Sequence, residues 1–228
     1  MLRTIALASY AAGVAFASSN CAKPNLKAPA CPDKGTITYE SRVPTQADDF
    51  PRTQVDLCYT ESALVLTFTA YNETTFYFDP EQGTNGDIWA YNVMEAFIYK
   101  GTDDPQTYFE YEINPDNVTY QAFIYNPSEN RAAGAPFDHM FVSKPAADGL
   151  KAQTTLKKDE ETWISEAEIP LAFFNVKNGQ AKGTEWRMQF LRTITSEATF
   201  PDQELGAWNP PDEASFHISK YFGHVELV

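Results

Sequence analysis

The sequence predicts an all-β fold, an antiparallel β-sandwich of the jelly-roll or immunoglobulin-like kind, and three observations carry that prediction. Apolar and polar residues alternate with a period of two, the pattern of strands buried on one face. The alternating runs are short and end in clusters of Gly, Pro, Asn and Asp, which supply turns. No stretch holds a helical period for more than about three turns. Many short strands separated by turns build two-layer sandwiches.

Taken in order, strands are expected at residues 36–41, 53–59 and 62–71. In the last of these, Leu64, Leu66, Phe68 and Ala70 share one face and Val65, Thr67, Thr69 and Tyr71 the other. A run at 75–79 ends at the turn DPEQGTNGD, after which 92–99 forms the next strand. GTDDPQ separates it from 106–114, where Phe109, Tyr111 and Ile113 alternate with Tyr108, Glu110 and Glu112. NPDN leads into 118–125, and NPSENRAAGAP follows it. Strands at 150–157 and 161–169 come before PLAFFNVK, a single helical turn. In 185–194, Trp186, Met188 and Phe190 oppose Arg187, Gln189 and Leu191, and a strand at 222–227 follows NPPDEA.

At 228 residues and 43% hydrophobic content, the chain can bury one full core and leaves little room for a second domain. Residues 1–17 read as a secretory signal: Arg3, then an apolar run from Ile5 to Phe16, with small residues at Ala15 and Ala17. Residues 18–35 read as a leader and 36–228 as the sandwich. No segment approaches the roughly 18 consecutive apolar residues of a membrane span, so a secreted, extracellular protein is expected.

An oxidising compartment would allow two of Cys21, Cys31 and Cys58 to pair. Three pairings are open, as is the alternative of free buried thiols. The reading favours Cys31 with Cys58, because Cys58 sits in the strand-like TQVDLCYT and Cys21 in the leader. Two sequons, at Asn72 and Asn117, fit export and glycosylation. The formal charge of −14 repels nucleic acid and anionic membrane surfaces but not a neutral polysaccharide or oligosaccharide.

Metal and nucleophile signatures are sparse. His139, His217 and His224 show no zinc spacing, no G-x-S-x-G elbow is present, and Ser18, not histidine, would begin the mature chain. The expectation is no cofactor, although the loop DPEQGTNGD could wrap a calcium ion. Glu110 with Glu112 and Glu166 with Glu168 each share a strand face about 7 Å apart. That is compatible with glycoside hydrolysis, yet alternate acids on a strand ordinarily mark a solvated face. A haem held between Met94 or Met140 and His139 or His217 is a further alternative, as is an interaction protein without a sugar site.

Aromatic residues make up 14% of the chain. Trp163 and Trp186 lie mid-strand and read as core. Trp89 and Trp208 sit among turn formers, in NGDIWAYN and ELGAWNPPDE, where an exposed indole suits stacking on the apolar face of a sugar ring.

IWAYNVMEAFIY followed by TYFEYEINPDN, then TEWRMQFLR, AWNPP and SFHISKYFGHVEL, resembles the pattern of carbohydrate-binding modules of family 9 and their DOMON-like relatives over residues 36–228. Met94 stands where that family usually has valine, and Asn92 where aspartate is common. The resemblance implies a β-sandwich that binds sugar, often at polysaccharide chain ends, between two tryptophans ringed by polar groups. Carried over, Trp89 is one platform, Glu95 the strand acid six residues on, and Trp208 the second platform. Arg192 falls in the late strand, contacting ligand or bracing loops, and Asn209 adjoins Trp208. The expected function is non-catalytic binding of neutral polysaccharide by a stand-alone secreted module, with a small glycoside hydrolase as the alternative.

Overall fold

The period-two segments become strands because β-branched and aromatic residues alternating with polar ones suit a pleated, half-buried surface. A computed structural model describes residues 24–228; the expected signal segment 1–17 and Cys21 lie outside the described residues. In chain order the strands are β1 (Asn25–Ala28), β2 (Gly35–Tyr39), β3 (Arg42–Val43), β4 (Thr53–Tyr59), β5 (Ala63–Ala70), β6 (Val93–Lys100) and β7 (Thr107–Ile113). They continue with β8 (Thr119–Tyr125), β9 (Asp138–Phe141), β10 (Lys151–Lys157), β11 (Thr162–Pro170), β12 (Glu185–Ile194), β13 (Glu204–Ala207) and β14 (Gly223–Leu227). The larger sheet runs β1-β14-β12-β6-β7-β8-β9, with β13 against β12 and β3 against β13; the smaller runs β10-β11-β5-β4-β2. Only β1 and β14 pair in parallel among these strands. The chain is an all-β sandwich, as expected. No helix among the described residues is long and apolar enough to cross a membrane.

Two expectations need correction. The run 75–79 is not a strand: the Glu73 carboxylate accepts from the backbone N–H of Thr75 and Phe76 and from the Thr75 hydroxyl, which offers the backbone a local alternative to a ladder. Phe76 accordingly takes a positive φ of 44°. The sandwich also begins before residue 36, since β1 lies in the segment read as a leader and pairs with β14 from Asn25↔His224 to Ala28↔Leu227. At two to four residues, β1, β3, β9 and β13 are too short to display a period.

Between the sheets, Leu57, Leu66, Phe68 and Trp163 pack against Met94, Ile98, Phe109, Trp186 and Phe190. Both core indoles are satisfied, Trp163 donating to Ser165 Oγ and Trp186 to Thr184 Oγ1, each at 2.8 Å. Cys31 and Cys58 form the favoured disulfide, with Cα atoms 5.2 Å apart and 27 residues of separation. By loop-closure entropy such a link contributes roughly 3.5 kcal/mol.

The larger sheet is buried on its outer face as well. Val93, Phe97, Tyr108, Ala122, Ile124 and Leu191 join Ile88 and Phe222 from the covering loops in a second apolar cluster. This second covered face positions the candidate site.

Candidate functional site

Side chains of β6, β7, β8 and β12 that point to the outer face of the larger sheet make the floor of a cavity of about 470 Å³. The ladder puts Glu95 opposite Glu112, with Glu110 opposite Phe97 two residues away on the same face. Tyr120 stands opposite Glu112 on the other side. Thr193 Oγ1 donates to Glu95 Oε1 at 3.4 Å. Trp89, Phe137, Phe141 and His217 form walls, and Asp87, Arg131 and Gln203 carry the polar rim.

Trp89 is held outward by local structure. It lies in a short 3-10 turn, Ile88–Ala90, whose Ile88 is buried in the outer cluster and anchors it. The residue is 52% exposed. Its N–H donates to Asp87 Oδ1 at 3.3 Å, and Gln203 Nε2 donates to its backbone carbonyl at 2.8 Å.

The floor is acidic and buried. Glu95, Glu110 and Glu112 are only 3%, 5% and 1% exposed. Burial raises all three carboxyls above their ordinary range: Glu95 also by the charge of Glu110, Glu112 also by Glu95 and Glu110. Glu110 is pushed up to about 8 by burial, with Arg131 opposing. His217 bonds Tyr108 Oη through Nδ1 at 2.7 Å and stacks on Phe97 at 5.0 Å. Burial, and secondarily Arg131, hold it neutral, down to about 3. The expectation that Glu110 and Glu112 line a solvated face is therefore corrected, because loops cover the outer face. Glu166 and Glu168 do stay at the surface, Glu168 paired with Lys151 at 2.7 Å.

A pH dependence of stability follows from this floor, which is faced by Glu95, Glu112, Tyr108, Tyr120, His217 and Arg131. The folded protein keeps the Glu110 proton up to about pH 8, whereas the unfolded chain releases it near 4.5. In that interval the native state binds more protons, so stability falls as pH rises. His217 acts in the opposite direction only below its ordinary value of 6.5. In buffer containing a chelator, the denaturant midpoint should drop between pH 6.5 and 8. The expected slope is about 1.4 kcal/mol per pH unit for each carboxyl that keeps its proton, and Glu110→Gln should reduce it by about one such share. A wild-type midpoint that rises across this interval would contradict the prediction.

Of the expected sugar contacts, the fold brings Trp89 and Glu95 into one cavity and leaves three residues outside it. Ala207 pairs with Leu191 on the outer face, so Trp208, one residue on, turns to the inner face. There it packs 5.6 Å from Phe190. Arg192 is fully buried and donates to Glu73 Oε2 at 3.0 Å, to Tyr71 O at 3.2 Å and to Thr53 Oγ1 at 3.3 Å. It braces the sheets. Asn209 donates through Nδ2 to the carbonyl of Tyr221 and exchanges two bonds with Gln189.

The other groups considered are dispersed. Met94 faces the inter-sheet core, and His217 the opposite side of the larger sheet. His139 and Met140 are neighbours on exposed β9. In the loop 79–87, Asp79 accepts from the N–H of Glu81, from Gln82 Nε2 and from Tyr91 Oη. The cavity roles of Tyr120, Thr193, His217, Arg131 and Gln203 were not expected from the sequence. The available signal was the shared face of Tyr108, Glu110 and Glu112, to which strand register adds Glu95.

The sandwich with its outer-face cavity has the fold of carbohydrate-binding modules. It is similar to two structures of a family 9 module from Caldicellulosiruptor kristjanssonii, one with cellotriose and one with glucose. For the cellotriose complex the TM-score is 0.57 at 11% identity, covering 90% of this chain and 93% of that one. For the glucose complex it is 0.58 at 13%, covering 90% and 96%. A carbohydrate-binding candidate from Bacteroides uniformis matches with a TM-score of 0.64 at 15% identity, covering 90% and 100%. No family model matches the sequence. The chain belongs to the family of an Arthroderma benhamiae protein named "Extracellular protein", to which it is 50% identical over 227 residues, covering 100% of this chain and 99% of that one.

Proposed function

We propose that this is a secreted, non-catalytic carbohydrate-binding protein whose site is the outer-face cavity walled by Trp89. The observation that carries the reading is a half-exposed indole, pinned by Asp87 and Gln203, standing over a floor of buried carboxyl and hydroxyl groups. The ring offers a flat apolar platform for the C–H face of a pyranose, while the polar rim and floor accept and donate to its hydroxyls. The family 9 complexes with cellotriose and glucose support the ligand class, and the name of the Arthroderma benhamiae relative supports export. Neutral oligosaccharide is the preferred ligand, because a net charge of −14 repels polyanions. One indole and a few hydrogen bonds at an open site imply affinities on the order of micromolar to millimolar. Asn72 and Asn117 are both exposed and would carry the glycans of an exported chain.

The test is a glycan array with a pull-down on insoluble polysaccharides. Saturable binding of a neutral glycan is expected, without release of reducing sugar. No binding across the array would overturn the reading. Sugar release by the wild type that is lost in Glu110→Gln would replace binding with hydrolysis.

A further inference from the structure

Three carboxyl groups of the paired strands β6 and β7 meet at the cavity floor. One oxygen from each of Glu95, Glu110 and Glu112 lies within 4.8 Å of the other two. Among the described residues no lysine or arginine forms an ion pair with any of them; the nearest basic atom is His217 Nε2, 3.9 Å from Glu110 Oε1. Carboxylates are seldom buried this fully without a compensating cation. A second observation concerns hydrogen bonding. Glu112 Oε2 is buried, belongs to a residue lining the cavity, and has no hydrogen-bond donor. A buried acceptor in that state carries the full cost of its desolvation unless a ligand coordinates it.

We propose that Glu95, Glu110 and Glu112 form a divalent-cation site of the oxygen-ligated, calcium-binding class at the base of the cavity. Calcium takes oxygen ligands at about 2.3–2.6 Å, so two oxygens on one ion stand up to about 5 Å apart, which matches the spread of this cluster. Magnesium, with its shorter and stricter octahedron, matches less well. The nearest nitrogen lies outside the cluster, which argues against zinc. Paired strands β6 and β7 fix the backbone beneath all three ligands, with Glu95 opposite Glu112 and Glu110 two residues along, and the open side of the cavity leaves room for water to complete the shell. The loop 79–87 is a poorer candidate, since Asp79 already accepts from three donors and Asp87 holds the Trp89 indole. The cation site does not depend on what occupies the cavity above it.

The experiment is calorimetric titration of chelator-stripped full-length protein near neutral pH with calcium, magnesium, manganese or zinc chloride, without sugar. One-to-one saturable calcium binding that raises the melting temperature is expected. Glu112→Gln and Glu95→Gln, both isosteric, should each weaken it by about tenfold or more, with melting curves showing that the variants fold. Asp79→Asn should bind as the parent does. Absence of calcium binding, unchanged binding in Glu112→Gln, loss in Asp79→Asn alone, or zinc binding with calcium inert would each overturn the assignment.

Discussion

Trp89→Ala is expected to weaken sugar binding by roughly 30-fold or more while leaving the fold intact. Truncating a central aromatic platform typically costs about 2 kcal/mol of binding or more, which is the origin of that factor. The fold should tolerate the change because Trp89 is already half-exposed and the turn is anchored by Ile88 rather than by the ring. Trp208→Ala should show the converse. Its indole packs on Phe190 and lies so close over Gly223 that a Cβ there would collide with the ring. Truncation should cost about 3 kcal/mol of stability and leave the affinity of the folded fraction unchanged. Titration calorimetry and urea unfolding on the two variants separate these outcomes. Equal loss of affinity in both would restore a two-tryptophan clamp; parental affinity in Trp89→Ala would remove Trp89 from the site.

Arg192→Ala is expected to be the most damaging single substitution for stability, by about 3–5 kcal/mol. The guanidinium and the Glu73 carboxylate are both buried, 0% and 1% exposed as side chains, and their separation is 3.0 Å. Glu73 in turn accepts from Thr75, Phe76 and Asn92. Removing the arginine leaves an unneutralised carboxylate in the interior and strips Thr53 and Tyr71 of a donor. The double variant Arg192→Met with Glu73→Gln should recover part of the loss, since no buried charge then stands alone. Equilibrium unfolding across this double-mutant cycle is the measurement. A loss under about 1 kcal/mol in Arg192→Ala would show that the ion pair is not the brace between strand β12 and the loop after β5.

Much of the fold was legible because strand alternation is a local property. The faces of Leu64, Leu66 and Phe68, and of Trp186, Met188 and Phe190, are inward as their period predicts. The placement of Cys58 in a strand favoured the disulfide with Cys31 but left the other pairings open. The site was legible only in part. Trp89 with Glu95 could be singled out, since a tryptophan among turn residues and an acid in an apolar run both stand against their surroundings. Glu110 and Glu112 could not be told from solvated acids, because alternation separates two faces without saying which of them is covered. The covering pieces, Ile88, Phe137, Phe216 and Phe222, come from loops distant in sequence from Glu110.

The sequence by itself determined the sandwich class, most of the strands and the prominence of Trp89, and it favoured the Cys31–Cys58 pairing without deciding it. Each rests on neighbours within a few residues. The tertiary structure alone decided that the larger sheet is buried on both faces, that register sets Glu95 across from Glu112, and that Trp208 turns away from the cavity. Those outcomes depend on which strands pair and which loops fold over them. Along a strand, a step of one residue reverses the face on which a side chain stands. That step parts Trp208 from Ala207, and it sets the same indole, partly buried, against the inner core instead of making it a platform.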